Sequence, residues 1–253
     1  MDRFEEARLR GLAALQERPG IGTLRERSLH AVLKYWVDPE ESHHEVSLPC
    51  RLVADVYDGE RITEIQTRNF SKLRPKLARM LPDYPVTVVF PIPRNKRLIW
   101  VDPESGEMSP PRKSPKTGTA WDVFPELYYI RDYLRGPRLT VRLVYLDMDE
   151  YKLLNGWSRD RKKGSCRMER IPTALAGEES FSAPADFAAL LPAGLPEPFT
   201  PADLAKALRV RTDRARKIVY VLYGIGSIQR EGKSGNAFLY QNPWKTQSKS
   251  NGE

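Results

Sequence analysis

The stretch EVSLPCRLVADVYDGERITEIQ, residues 45–66, decides how the chain is read. Residues 44–50 and 51–57 are short and rich in Val and Leu, Asp58-Gly59 is a hairpin signal, and residues 62–67 form the returning strand. A hairpin centred on Asp58-Gly59 brings Asp55 beside Glu64. Strand alternation puts Glu64 and Gln66 on one face and Ile65 on the other. Two carboxylates at neighbouring strand positions repel each other and are costly to bury, a conflict that a divalent cation removes. Asp55, Glu64 and the main-chain carbonyl of Ile65 make an oxygen donor set suited to Mg²⁺ or Mn²⁺. A metal so held activates water and neutralises charge on a phosphodiester. Gln66 sits where it could orient that water or a phosphate oxygen.

Upstream, residues 23–36 carry a helical pattern with Leu24, Ala31, Val32 and Tyr35 as the apolar face. Glu26, His30 and Lys34 are spaced by four and project from one other face. A helix at 71–81 follows the strands, capped by Ser71 or Asn69, with Pro75 near its first turn. The apolar run at 85–92 reads as a central strand, with 97–101 as its hairpin partner.

The helix triad, the string from Glu45 through Arg51, Ala54, Asp55 and Val56, and the closing Glu64-Ile65-Gln66 together resemble the PD-(D/E)XK nuclease superfamily. The closest likeness is to the competence-protein CoiA-like branch, which has Gln in place of the usual Lys. Glu26, His30, Lys34, Asp55, Glu64 and Gln66 match that pattern position by position, and residues 23–92 follow its αβββαβ order. The resemblance covers about 70 of the 253 residues. It implies an α/β, restriction-endonuclease-like core and metal-dependent hydrolysis of DNA. Asp55 and Glu64 would be metal ligands, Gln66 the replacement for lysine and Glu26 an accessory acid, with His30 and Lys34 as candidate nucleic-acid contacts. No lysine follows Glu64 at the family's usual place.

The rest of the chain supplies cations. Lys and Arg number 41 against 33 Asp and Glu, a formal charge of +8 that suits either plain solubility or a polyanionic partner. Residues 103–118 read as an exposed Pro/Ser/Lys loop, 121–134 as a helix and 139–145 as a strand. Residues 157–170 (WSRDRKKGSCRMER) form a basic loop or hairpin tip whose Arg159, Arg161, Lys162, Lys163 and Arg167 can hold phosphate without reading sequence, as can a plain solvated loop.

Thr200-Pro201-Ala202-Asp203 caps a helix at 201–208. Thr212 caps a second helix to about 223, stopped by Gly224 and Gly226. Two strands, 227–230 and 237–241, flank a tip at 231–236. This is the order of a winged helix-turn-helix, in which Arg211, Arg214 and Lys217 approach the major groove and Lys233 at the wing tip touches phosphate. Winged helices also dock proteins.

The resulting organisation is an N-terminal helix (1–20), the nuclease-like domain (21–172), a linker (173–197), a small C-terminal winged-helix domain (198–243) and a disordered tail (244–253). A composition of 40% hydrophobic and 29% charged residues allows a buried core. Cys50 and Cys166 alone exclude a disulfide scaffold or a cysteine-built zinc site, and His43-His44 lacks a third zinc ligand. No apolar run is long enough for a membrane span, and the charged N-terminus points to the cytoplasm. The leading expectation is a Mg²⁺-dependent nuclease acting on DNA, compatible with a homodimer and with no membrane partner. The alternative is a non-catalytic, DNA-binding or regulatory protein on a degenerate nuclease scaffold. The sequence does not choose between DNA and RNA.

Overall fold

The computed structural model describes residues 2–16, 27–156 and 164–245. Glu26, Leu24, Arg159, Arg161, Lys162, Lys163 and residues 246–253 of the tail lie outside the described residues. Helix α1 (Arg3–Gln16) and helix α2 (Arg27–Val37) come first. Phe4, Ala7 and Gly11, at spacings of three and four, form the buried stripe of α1. Leu9, which helical spacing also admits to the apolar face, is exposed instead.

A Cβ on Gly11 would stand 2.7 Å from the Cα and N of Val32, so the two helices meet there backbone to backbone. Gly11→Ala must push them apart, at about 1–3 kcal/mol of overpacking. That outweighs the ~1 kcal/mol gained in helix propensity. The variant should therefore melt below the wild type in a thermal scan, and an equal or higher midpoint would refute the tight crossing.

Strands β1 (His44–Leu48), β2 (Leu52–Tyr57) and β3 (Ile62–Ile65) follow as an antiparallel meander. Asp58 builds the β2–β3 turn, its Oδ1 accepting from the N–H groups of Glu60 at 2.9 Å and Arg61 at 2.7 Å. Helix α3 (Phe70–Met80) then leads to β4 (Val86–Val101). The αβββαβ order of elements is therefore present over residues 27–101.

Several segments differ from their sequence reading. Asn69 precedes α3 in a left-handed conformation without capping it through its side chain; Glu126 Oε2 takes the Phe70 N–H at 2.9 Å instead. Pro75 lies in the second turn of α3 rather than the first. Residues 85–92 and 97–101 are not a hairpin but parts of one 16-residue strand. The two prolines that suggest a break, Pro91 and Pro93, share their parity with Val89, whose carbonyl accepts from Gln66 N–H at 2.9 Å. Their missing N–H groups thus fall on the edge where β3 has already ended, so no ladder bond is lost.

Beyond β4 lie β5 (Arg112–Lys113), helix α4 (Phe124–Ile130), and two 18-residue strands, β6 (Leu139–Gly156) and β7 (Gly164–Phe181). Short 3-10 turns flank α4, which shortens the helix expected at 121–134. Residues 173–181, read as the start of a linker, extend β7. The chain is a mixed α/β protein whose main sheet runs β1-β2-β3-β4-β6-β7, with β5 added on β4.

The chain divides into two compact units, the first drawn from residues up to Thr67, Val89–Thr119 and Leu143–Glu179. In it Leu29, Val32 and Leu33 of α2 pack with Phe4, Ile65, Val89, Val144, Leu146 and Met148. Burying each such side chain is worth about 1.5–3 kcal/mol.

The second unit takes Arg68–Val88, Ala120–Arg142 and the residues from Ser180 onward. It contains α5 (Pro184–Ala188), α6 (Pro201–Leu208), α7 (Thr212–Ile225) and the hairpin β8 (Gln229–Ser234) with β9 (Ala237–Gln241). Thr200 caps α6 as its sequence demands, exchanging bonds with Asp203. Thr212 is inside α7 and Arg211 holds its N-cap position. Gly226, with φ +84°, ends α7 in the left-handed conformation, whereas Gly224 remains helical. Phe199 pairs with Tyr240 through two 2.8 Å main-chain bonds, adding a short third segment beside β9. No helix is long and apolar enough to cross a membrane among the described residues.

Candidate active site

The β2–β3 register pairs Tyr57 with Ile62 and Val56 with Thr63. One step further along the same register sets Asp55 opposite Glu64. On the other side of β2, His44 faces Val56 and Val46 faces Ala54, so the register sets Glu45 opposite Asp55. Continued by one step, the two registers put Glu45 and Glu64 level with Asp55 along the chain; the paired positions themselves are Val56–Thr63 on one side and His44–Val56 and Val46–Ala54 on the other, and Glu45 between them has φ +54°. Alternation buries Ala54 and Val56 and leaves Asp55 half-buried, while Glu64 is fully buried.

Helix α2 brings its polar residues to this row. His30 Nε2 is 3.2 Å from Asp55 Oδ2, and Lys34 Nζ donates to Glu45 Oε1 at 2.8 Å. The i, i+4 step of the helix thus serves two adjacent strands. Asp55 Oδ2 also accepts from the Ile65 N–H at 2.7 Å, a main-chain bond to a charged acceptor worth about 1.5–3 kcal/mol. The side chain of Asp55 there does what a ladder carbonyl would do. Lys34, expected to contact nucleic acid, is largely buried and paired with Glu45. Glu45 had no assigned role in the sequence, and no local signal marks it, because it reaches the level of Asp55 only through the β1–β2 register.

Gln66 follows β3, and its N–H is held by Val89. This fixes the backbone on both sides of the Ile65 carbonyl, between the Asp55 bond and the β4 bond. The donor chemistry fits a hard cation: two carboxylates and a carbonyl are all oxygen. Mg²⁺ takes one or two protein carboxylates and keeps several waters. Among the described residues no three His, Cys, Asp or Glu side chains are grouped to hold a metal ion, so a cation here would rest on the carboxylate pair, the carbonyl and water.

Behind α2, Glu169 of β7 is buried against the first turn of that helix. Burial pushes its carboxyl above the usual range; bonds from the N–H of Arg170 and the N–H and hydroxyl of Ser28 oppose this and lose. The folded state thus holds the Glu169 proton more tightly than the unfolded chain. The resulting cost is absent below about pH 4.5, grows as pH rises through the raised value, and is constant above it. Glu169→Gln keeps an acceptor for Ser28 and removes the charge. It should raise the melting midpoint at pH 7 by roughly 2–4 °C and leave it unchanged near pH 4. A drop at pH 7 would show that the ionised form is required.

The C-terminal cations are disposed differently from their sequence reading. Arg214 does not project outward: its guanidinium donates to Asp122 Oδ1 at 2.6 Å and to the Trp121 carbonyl at 3.1 Å. The helix period that exposes Arg211 and Lys217 turns residue 214 toward the 120–122 turn. Arg211 is exposed and 3.3 Å from Asp213. Lys233 is not at a loop tip, because the hairpin turn is only Gly235-Asn236. It lies in β8 opposite Phe238, with Nζ 4.9 Å from the ring centre. Arg230 covers the same ring at 3.9 Å and Tyr223 at 4.6 Å, an aromatic and cationic cluster missed in the sequence. Arg167 belongs to β7 rather than to a loop.

No solved structure matches the chain. An uncharacterized protein of Treponema pallidum (strain Nichols) is 31% identical over 186 residues, 74% of each chain. The family model described as a domain of unknown function, DUF8091, matches residues 27–182, from the start of α2 to one residue past the end of β7. The chain belongs to the DUF8091 family.

Proposed function

We propose that this protein is a metal-dependent DNA nuclease with a PD-(D/E)XK-like core and a C-terminal winged helix that recruits the duplex. What supports the reading is the β2–β3 hairpin, whose register continued by one step brings Asp55 level with a fully buried Glu64, together with His30 of α2 against Asp55. The α2-β1-β2-β3-α3-β4 order supports the core. The order α6, α7, hairpin, with Phe199 paired to β9, supports the winged helix.

Asp55, Glu64 and the Ile65 carbonyl would hold Mg²⁺ or Mn²⁺, which when bound supplies charge neutralisation at the scissile phosphate and an acidified water. The Ile65 N–H and His30 hold the Asp55 carboxylate in place. The Gln66 amide can orient water or a phosphate oxygen, a neutral substitute for lysine. Purified protein should cleave duplex DNA with Mg²⁺ or Mn²⁺ and not with EDTA. No cleavage under any metal condition would overturn the proposal.

One observation favours a second reading. Both the Ile65 N–H and His30 engage the same oxygen of Asp55, and Gln66 stands where the nuclease pattern has lysine. A non-catalytic DNA-binding protein on the same scaffold would bind duplex equally well with and without EDTA.

A further inference from the structure

Away from the carboxylate row, the sheet gathers cations on a buried acid. Glu150 of β6 is 3% exposed. Its Oε2 accepts from Lys96 Nζ of β4 at 2.8 Å and lies 3.7 Å from Arg167 Nε of β7. Its Oε1 is 3.8 Å from Lys152 Nζ, two residues along β6. Within this group one negative charge meets three positive charges, two from the adjacent strands β4 and β7 and one from β6 itself.

The neighbouring acids behave differently. Asp149 takes a two-pronged bond from Arg97, at 2.6 and 2.8 Å, and Asp147 accepts from Asn95. One lysine suffices to balance a buried carboxylate, and gathering further long side chains costs rotamer freedom. Exposure is graded across the group, from 18% at Lys96 through 27% at Lys152 to 43% at Arg167. The inner lysine is spent on Glu150, while the two outer heads reach water. An ammonium and a guanidinium held against the two oxygens of one buried carboxylate suit an external phosphate.

We propose that Lys96, Lys152 and Arg167, held together on Glu150, form a seat for a backbone phosphate of duplex DNA. The seat rests on DNA as the ligand but not on hydrolysis. It acts without reading sequence, as phosphate contacts do.

The test is fluorescence anisotropy in EDTA with two unrelated labelled duplexes of about 20 base pairs, over a salt series. Lys152→Gln/Arg167→Gln keeps the Lys96–Glu150 bond, and a thermal melt checks its fold. Affinity for both duplexes should fall about tenfold, and the slope of log K against log salt should become shallower by about 1–2. Lys72→Gln/Arg79→Gln, which removes the same charge from exposed positions of α3, should change affinity less than about twofold. A double variant at 152 and 167 with wild-type affinity and slope overturns the seat, as does an equal loss from the α3 variant. A wild-type chain that binds neither duplex overturns both the seat and the nuclease reading. DNA binding that depends on residues 152 and 167, without cleavage in Mg²⁺, supports the seat and refutes hydrolysis.

Discussion

Asp55→Asn should reduce Mg²⁺-dependent cleavage by about 10²-fold or more, with duplex binding retained. The substitution is chosen for what it leaves alone. Asparagine keeps the side-chain volume and an oxygen to accept the Ile65 N–H now bonded at 2.7 Å, so the β2–β3 junction survives. It removes the negative charge that a hard cation needs. Asp55→Ala would also remove that acceptor and confuse loss of chemistry with loss of structure. A melt within a few degrees of wild type, together with lost cleavage, assigns Asp55 to the reaction. Undiminished cleavage by Asp55→Asn moves the chemistry elsewhere, whatever the fold does.

Glu150→Gln should lower the thermal midpoint at pH 7 by about 5–10 °C. Removing one member of a buried ion pair leaves an uncompensated charge and costs about 3–5 kcal/mol. Lys96 retains some solvent contact, which lowers this to about 2–3 kcal/mol; each kcal/mol moves the midpoint about 2–4 °C in a chain of this size. Burial alone would push the Glu150 carboxyl up. The Lys96 hydrogen bond and the charges of Lys96, Arg167 and Lys152 more than reverse this and hold it below the usual range. Its stabilisation is therefore complete above about pH 4.5 and disappears as pH falls through the lowered value. The gap between wild type and variant should close in acid. A gap that persists unchanged at low pH would exclude the charge as its cause. Lys96→Met/Glu150→Leu should recover most of the loss, because an apolar pair carries no desolvation debt.

The legible parts of the sequence were those where local chemistry decides the outcome. Thr200 and Asp203 announce the start of α6, and Asp58-Gly59 announces the β2–β3 turn. The i, i+4 spacing of His30 and Lys34 announces a shared face. What that face meets was not legible, because Glu45 and Asp55 are brought level by a strand register that no local pattern states. The long strands were underestimated for a related reason. Pro91 and Pro93 look like breakers until their edge of β4 is known, and residues 146–156 and 164–181 carry mixed polarity. Arg214 and Asp122 are 92 positions apart, so nothing local marks Arg214 as an internal anchor.

The placement of those prolines also bears on how this molecule behaves in a crowded solution. An uncapped rim of extended chain normally invites a second copy to add its own strand and begin a ladder that never closes. Here that rim has no hydrogen to offer at positions 91 and 93, and the carbonyl of Pro93 is already taken by the Gly118 N–H at 2.9 Å. Pro91 is buried and Pro93 half-buried, so position 93 is the one a second chain could reach, and Pro93→Val would restore a donor there.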